Sequence, residues 1–419
     1  MSIQPKQLLL LAAVPLLIAL QSCVKDTCTH MSSYTWFIPK YKTVAEVRGN
    51  IKSSPATEIK APGKIFMYGH YIFLNEINKG VHIIDNSNPA APVNKAFIDI
   101  PGNVDIAVKG NTLYADMYTC LVTIDITDPL NIHAVDFLEN IFPDRNYGVT
   151  YNSNSIIYDW ERHDTIVKAD CNTGWMNAYS DRVLTLSSAI SSNTSYAGGA
   201  PVGIAGSMAR FALVNDHLYT VGPASMNILD ISSPATPVNI SMVQLPWGIE
   251  TIYPFKDKLF IGSTAGMFIY SIENAATPQQ LGTFEHARVC DPVVADDDYA
   301  YVTLRNGTQC QGFLNELDVV DIDNLLSPVL KKTYPMTNPH GLSKDGTTLF
   351  ICDGSDGVKV FNAADVNDIT LIKHISGLDT YDVIAYNGLA LVVAKDGLYQ
   401  FDYSSLDNIH QLSKLSIEE

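Results

Sequence analysis

The residues with the clearest capacity for chemistry recur at one position of a repeated pattern. Each stands at the start of a strand-like segment, and each is charged or a histidine: Lys64, Asp105, Arg210, Glu250, Asp291, His340 and Asp382. Carboxylates, amines and imidazoles bind ligands or transfer protons when the fold brings them together. The set predicts a polar collar at the mouth of the channel. Polar side chains line narrow, water-filled channels for structural reasons, so a structural role is the first interpretation and a site for a cation or small ligand is the alternative.

A second group of reactive side chains lies in the stretch FEHARVCDPV, which contains His286, Arg288, Cys290 and Asp291. A cysteine or histidine nucleophile with a neighbouring base is one interpretation of this group. The other is that His286 and Arg288 hydrogen-bond a chain crossing. The sequence contains no GxSxG, HExxH, phosphate-binding glycine loop or EF-hand pattern, so we expect no cofactor and no metal site.

A repeated phrase shows which elements must position these residues. VHIID at 81 has relatives at 121, 226, 267, 317, 358 and 398, and most intervals are between 40 and 50 residues. Each phrase is a short apolar run with flanking Gly and Pro turns, as expected of a strand buried on both faces. A period of 40 to 45 residues is typical of a β-propeller blade.

Each phrase is the third strand of a predicted four-stranded unit. A hairpin precedes it, as in IFMYGHYIFL, and a Pro-containing turn with a fourth strand follows, as in NSNPAAPVNKAFIDI. Seven units predict an all-β chain whose residues 63–414 form a seven-bladed propeller of antiparallel blades. Residues 139–207 break the period and are interpreted as an insertion, in which SIIYDWERHDTIVKAD reads as two added strands. An eighth, degenerate blade within 139–207 is the alternative.

The repeated units resemble the LVIVD-repeat family of β-propellers, found in envelope lipoproteins of the Bacteroidetes type. The likeness covers roughly residues 63–414 and rests on the order of strand, turn, strand, LVIVD-like strand and Asn/Ser-Pro turn. It implies a propeller fold and an envelope location. The family has no established chemistry to carry over.

Propeller topology places the collar at one end of the ring. The first strand of each blade lines the central channel, and we call the end where these strands begin the top face. The 139–207 insertion leaves from a crossing on the same face, so we expect it to overhang the top as a lid or a binding ledge.

The cysteines other than Cys23 number six. Cys290 and Cys310 fall on the top face of one unit, so we predict a disulfide that closes a loop of 21 residues. Because such a bond lowers the conformational entropy of the unfolded chain, it would stabilise the fold by about 3 kcal/mol. A Cys120–Cys171 bond is a second, weaker prediction. The sequence contains no CxxC spacing, so nothing favours a metal site over these disulfides.

The N-terminus reads as an export signal. Lys6 precedes an apolar stretch from Leu8 to Leu20, which at about 13 residues is short for a membrane span but right for a signal peptide. Leu20-Gln21-Ser22-Cys23 resembles the bacterial lipobox, whose cysteine is acylated. An ordinary secretory signal is the alternative.

The predicted organisation is therefore a signal peptide at 1–22, a tether and N-terminal segment at 23–62, and the propeller. We expect a lipid anchor at the outer membrane, and the sequence leaves open whether the protein faces the periplasm or the cell surface.

The composition of the chain argues against some classes of function. The chain has 27 basic and 44 acidic residues, a net charge of -17, and no basic stripe, which argues against nucleic acid. The first hypothesis is a non-enzymatic binding or scaffold module that presents its top face to a protein, glycan or small ligand. The second is a hydrolase or lyase acting on a sugar, with Asp291, His340 and Glu250 as acid or base. A third is an adhesion component that binds through the insertion.

Overall fold

The computed structural model describes residues 29–146, 155–170, 204–207, 209–286, 292–306 and 314–417. Strands are numbered in chain order. The chain divides into two compact units, of which the first comprises residues up to 39 together with 160–186. Its described part belongs to a two-stranded sheet formed by β1 (Thr29–Thr43) and β11 (Ser155–Asp170). Within that unit, the rings of Trp36 and His163 lie 4.9 Å apart at a tilt of 32°, and the Trp36 indole N–H donates a hydrogen bond to Thr165.

The second unit is a seven-bladed β-propeller, which confirms the predicted fold. Each blade is a sheet whose four strands are consecutive in sequence and antiparallel. The first to third blades contain β3 (Pro62–Tyr68), β4 (Tyr71–Glu76), β5 (Gly80–Asp85) and β6 (Val93–Asp99); β7 (Ile106–Lys109), β8 (Thr112–Met117), β9 (Cys120–Asp125) and β10 (His133–Leu138); and β13 (Phe211–Val214), β14 (His217–Val221), β15 (Ser225–Asp230) and β16 (Val238–Gln244).

The remaining four blades follow without interruption by other strands. They contain β17 (Ile249–Phe255), β18 (Lys258–Ser263), β19 (Gly266–Ser271) and β20 (Gln279–Glu285); β21 (Val293–Ala295), β22 (Tyr299–Leu304), β23 (Glu316–Asp321) and β24 (Val329–Pro335); β25 (Leu342–Asp345), β26 (Thr348–Cys352), β27 (Val358–Asn362) and β28 (Thr370–Ile375); and β29 (Thr380–Tyr386), β30 (Leu389–Ala394), β31 (Gly397–Asp402) and β32 (His410–Ser416). In the described part of the chain, the inner strand of the second blade, β7, lies beside that of the third, β13, so no eighth blade stands between them.

The repeated phrase is the third strand, as predicted. In β5 every residue except Asp85 is buried, because neighbouring blades cover both faces of the strand. The glycine that begins this strand has a steric reason. Gly80 has φ 146°, and a Cβ there would lie 1.9 Å from the carbonyl oxygen of Ile98. Only glycine lets the third strand approach the fourth this closely.

Neighbouring blades are joined by buried tyrosines as well as by apolar packing. The Tyr114 hydroxyl donates to the Pro234 carbonyl at 2.9 Å, and the Tyr219 hydroxyl donates to the Ala275 carbonyl at 3.0 Å. Each bond runs from one blade to the turn between the third and fourth strands of the next. The tyrosine ring fills the interface between blades, and its polar tip finds a partner at the edge.

The ring closes without any exchange of strands between the first and seventh blades. Asn86 and Gln400 exchange side-chain hydrogen bonds of 3.0 and 2.7 Å across this interface, and Ser413 donates to the Pro89 carbonyl. Ile65 and Ile84 pack in one buried cluster with residues of the seventh blade. Closure therefore depends on side chains.

The first blade is extended at both edges. A short strand, β2 (Ser53–Pro55), pairs with its outer strand β6, and β12 (Ile204–Ala205) pairs with its inner strand β3. Before β2, a one-turn helix α1 (Val44–Gly49) begins with a capping box between Thr43 and Glu46. Two short 3-10 helices, Pro143–Asn146 and Leu406–Asn408, complete the described elements.

Two described stretches of the insertion can be compared with the prediction, whereas residues 147–154 and 171–203 lie outside the described residues. The stretch at 155–170 forms one 16-residue strand, β11, where two strands were expected. The last described residues, 204–207, do not overhang the top face. Since β12 lies on the free inner edge of β3, these residues run along the channel side of the first blade. We call residues 204–207 the return segment.

Candidate functional site

The predicted collar lies where the inner strands begin, but its side chains are largely withdrawn from solvent. Lys64 and Asp105 are each 1% exposed, Asp382 is fully buried and His340 is 9% exposed, while Arg210 and Glu250 are partly buried. Asp291 lies outside the described residues. Two groups of contacts can be followed among the described members, one across blades 7, 1, 2 and 3 and one across blades 4, 5 and 6.

The first group centres on an ion pair between the first two blades. The Lys64 Nζ lies 3.9 Å from the Asp105 Oδ2. Asp105 also accepts hydrogen bonds from the backbone N–H groups of Ile106 and Arg210, the latter at 2.6 Å. Asp105 thus joins the top of the second blade to the entry of the third.

Burial outweighs charge attraction at this pair. Burial lowers the pKa of Lys64 to about 8, although the charges of Asp105 and Asp382 act in the opposite direction. It also raises the pKa of Asp105 against the effect of Lys64. Both shifts favour the neutral forms, as expected when desolvation exceeds the Coulombic gain.

The return segment completes this first group. The Ser207 N–H donates to the Asp382 Oδ1 at 3.4 Å, and the Ser207 hydroxyl accepts a hydrogen bond from the Leu342 N–H at 2.6 Å. These contacts tie the segment to the inner strands of the sixth and seventh blades, while β12 pairs with the first. The protein's own chain therefore occupies part of the channel beside Lys64 and Asp382.

The second group contains Glu250, Arg305 and His340. Burial lowers the pKa of Arg305, and the charge of Glu250 opposes that shift. Burial and the nearby Arg305 lower the pKa of His340 to about 3. The His340 Nε2 lies 3.1 Å from the Asn338 side-chain nitrogen. A general base at neutral pH works best with a pKa near 7, so this environment argues against that role for His340.

Several residues of the top face were not found from the sequence. Arg145, in the crossing after the second blade, forms an ion pair with Asp116 and donates to the Gly102 carbonyl. Asp116 accepts backbone N–H bonds from Val104 and Asp105. Ser207 and Arg305 were missed too, because neither stands at the repeated position. Ser207 lies in a Gly-rich stretch, SYAGGAPVGIAGS, that carries no periodic or motif signal.

The cysteine predictions have different outcomes. Cys23, Cys290 and Cys310 lie outside the described residues, and the described part of the chain contains no disulfide. Cys120 is a buried free thiol that donates to the Glu139 carboxylate at 2.7 Å. The predicted Cys120–Cys171 bond is therefore wrong. Burial and Glu139 raise the pKa of the Cys120 thiol to about 12, which keeps it unreactive.

The described residues contain no group of His, Cys, Asp and Glu side chains arranged to hold a metal ion. Within the same residues, no helix has the length and apolar character needed to cross a bilayer.

Comparison with known proteins supports the repeat. The LVIVD repeat family matches residues 63–99 and 288–336, which include the first and fifth blades. The chain carries LVIVD repeats. The matched stretches span the same strand order on which the resemblance was based, from the inner strand through the LVIVD-like third strand to the fourth.

Solved structures support the fold alone. A protein from Lactobacillus plantarum is 13% identical with a TM-score of 0.55, covering 85% of this chain and 97% of its own. The computationally designed Ika8 protein is 9% identical with a TM-score of 0.51, covering 87% and 90%. The dihydro-heme d1 dehydrogenase NirN is 11% identical with a TM-score of 0.50, covering 85% and 66%. A search of curated protein sequences finds no significant match.

Proposed function

We propose that this protein is an envelope lipoprotein, anchored through acylated Cys23, whose propeller is a rigid binding or scaffold module. The observation that carries the proposal is the collar. Asp105 lies beside Lys64 and accepts the Arg210 N–H, and Asp382 accepts the N–H of Ser207 in the return segment. A propeller whose axial polar residues hold its own chain is suited to binding partners on its outer top loops.

The proposed ligand is a protein, glycan or small molecule at the top face. That face carries the loops between second and third strands and the crossings between blades. Loops at one end of a rigid scaffold commonly supply binding residues. Lys79 is such a loop residue, and its side chain is 52% exposed.

The sugar-hydrolase or lyase alternative has less support. It requires an acid and a base near the channel mouth, with a pKa suited to neutral pH. His340 lacks that pKa, and Asp291 lies outside the described residues. The binding function is therefore the better account of the described residues.

The anchor is tested with Cys23→Ser, and Cys28→Ser is the matched control at a cysteine five residues further on. We expect the wild type and Cys28→Ser to carry acyl chains by intact mass and to remain with membranes after alkaline extraction. Cys23→Ser should lose the acyl mass and become extractable. An unacylated wild type would refute the anchor.

The binding face is tested on Cys23→Ser protein with a glycan array and a panel of envelope proteins. Lys79→Glu alters the top face, and Lys256→Glu is the matched change in a bottom turn, where the side chain is 56% exposed. A bound ligand should be weakened by Lys79→Glu alone. Equal loss with Lys256→Glu, or loss only with Lys256→Glu, contradicts top-face binding.

A further inference from the structure

The β1–β11 sheet carries three consecutive large apolar side chains that are open to solvent. Trp36, Phe37 and Ile38 are 48%, 43% and 38% exposed, and Tyr41 of the same strand is 44% exposed. Successive residues of a strand point to opposite faces, so these side chains lie on both faces of the sheet. A two-stranded sheet that nothing covers is marginally stable in water. This stretch of β1 is therefore suited to contact with an apolar phase.

The two strands of this sheet differ in charge. β1 contains no Asp or Glu, and its only Lys and Arg residues are Lys40 and Lys42, although the whole chain has a net charge of -17. The opposite strand β11 carries four acidic residues: Asp159, Glu161, Asp164 and Asp170. Tryptophan and tyrosine rings concentrate at membrane–water interfaces, and lysine side chains reach from there to lipid phosphates. The composition of β1 thus fits a lipid surface.

The proposed anchor brings β1 close to a bilayer. β1 begins at Thr29, six residues after Cys23. Six residues of extended chain span at most about 20 Å, and the path from Thr29 to Trp36 adds about 24 Å along the strand. A link this short keeps β1 at a high effective concentration beside the lipid that holds Cys23. The bilayer is accordingly an apolar phase within reach of Trp36.

We propose that β1 lies along the membrane surface with its free edge toward the lipid headgroups. Trp36, Phe37 and Ile38 then enter the interfacial layer, while the charged strand β11 stays in water. The inference rests on the proposed acylation of Cys23. In the described part of the chain β1 pairs with β11 alone, so N–H groups on its other edge can donate to lipid phosphate oxygens. Unpaired backbone groups are costly in hydrocarbon, which limits the strand to the headgroup layer.

Contacts between the two strands already hold the tryptophan in position. The Trp36 indole N–H donates to the Thr165 hydroxyl at 3.2 Å, and the Thr35 hydroxyl donates to Asp164 at 2.5 Å. Asp164 is also paired with Arg162 at 3.1 Å, which offsets the negative charge beside β1. A ring that is fixed beforehand loses little conformational entropy when it meets lipid.

The contact is tested with the chain 24–419, which contains every described residue and is held on vesicles by an N-terminal His tag. The vesicles contain phosphatidylcholine, phosphatidylglycerol and a nickel-chelating lipid, so the tag takes the place of the acyl chains. Brominated phosphatidylcholine quenches the fluorescence of tryptophans that touch the bilayer. We expect quenching in the wild-type sequence and loss of most of it in Trp36→Phe. Trp247→Phe, a matched change at a tryptophan that is 77% exposed, should keep it.

Two results overturn the proposal: no quenching in the wild-type sequence, or equal quenching in Trp36→Phe. A chain that is not quenched but sediments as a dimer would show that a second copy covers β1 instead. This outcome is separate from that of the anchor. Since the tag supplies the tether, the result does not depend on acylation, and absent quenching leaves the acylation of Cys23 untouched.

A second variant keeps all four tryptophans. Phe37→Asp places a carboxylate on β1 and should remove most of the quenching, because an unpaired charge stays in water. Leu371→Asp is its control, at an apolar residue of the sixth blade that is 52% exposed, and should be quenched like the wild type. Tryptophan emission of Phe37→Asp without vesicles should match the wild type, which shows that Trp36 keeps its surroundings. If Phe37→Asp is quenched as strongly as Leu371→Asp, β1 does not contact the lipid.

Discussion

At the residue scale, Lys64 is a charged group held in a place that disfavours its charge. An unfolded lysine titrates near 10.5, whereas burial lowers the pKa of Lys64 to about 8. Between these values the unfolded chain binds more protons, so the free energy of unfolding rises with pH. The amine is nonetheless retained beside Asp105 and Asp382, which suggests a role in specifying how the first two blades and the seventh meet.

The prediction concerns the difference in unfolding free energy between wild type and Lys64→Met. That difference should increase in favour of the wild type by about 3 kcal/mol as pH rises through the interval from the folded to the unfolded pKa. Urea unfolding at pH 7.5 to 10 follows most of the change. Lys95→Met, at an exposed lysine of the same blade, controls for altered net charge. A flat difference would show that Lys64 is not desolvated.

At the element scale, the return segment is a short piece of insertion that satisfies polar groups of three inner strands. The Ser207 hydroxyl is an acceptor for the buried Leu342 N–H. Removing one partner of a buried hydrogen bond leaves the other unsatisfied, which costs about 1–3 kcal/mol. The segment therefore contributes to stability although it belongs to no blade.

Ser207→Ala should lower the free energy of unfolding by about 1–3 kcal/mol. Ser405→Ala is the surface control, because Ser405 is exposed and makes no side-chain capping bond. Its effect should stay within about 0.5 kcal/mol. If both variants match the wild type in denaturant unfolding, the return segment does not hold the channel as described.

At the scale of the whole molecule, the interface between the first and seventh blades is where the ring closes. No strand crosses that interface, so the Asn86–Gln400 pair and the surrounding apolar cluster carry the closure. Truncation of Gln400 leaves the Asn86 amide, which is 8% exposed, without its partner.

We expect Gln400→Ala to lower the free energy of unfolding by roughly 2–4 kcal/mol, because two buried hydrogen bonds are lost and the Asn86 side-chain amide loses its partner. Gln411→Ala, at an exposed residue of the neighbouring strand β32, should change it by about 0.5 kcal/mol or less. Thermal and urea unfolding measure both. A Gln400→Ala effect no larger than the control would place closure in the apolar packing alone.

The sequence by itself determined the blade, the blade number and the top-face position of the collar. These features are local or periodic: apolar runs such as VHIID, glycines such as Gly80 that permit close strands, and turn residues at fixed offsets. Since each blade is built from consecutive strands, no long-range information was needed to find it.

Only the tertiary structure decided what the collar residues touch. The pairing of Lys64 with Asp105, and the contacts of Ser207 with Asp382 and Leu342, join residues far apart in the chain. The path of the return segment along the first blade was likewise not predictable from the sequence, because no period or motif marks a segment that bonds to three separate blades. Local patterns specify strands and turns, whereas burial and partners depend on how the ring closes.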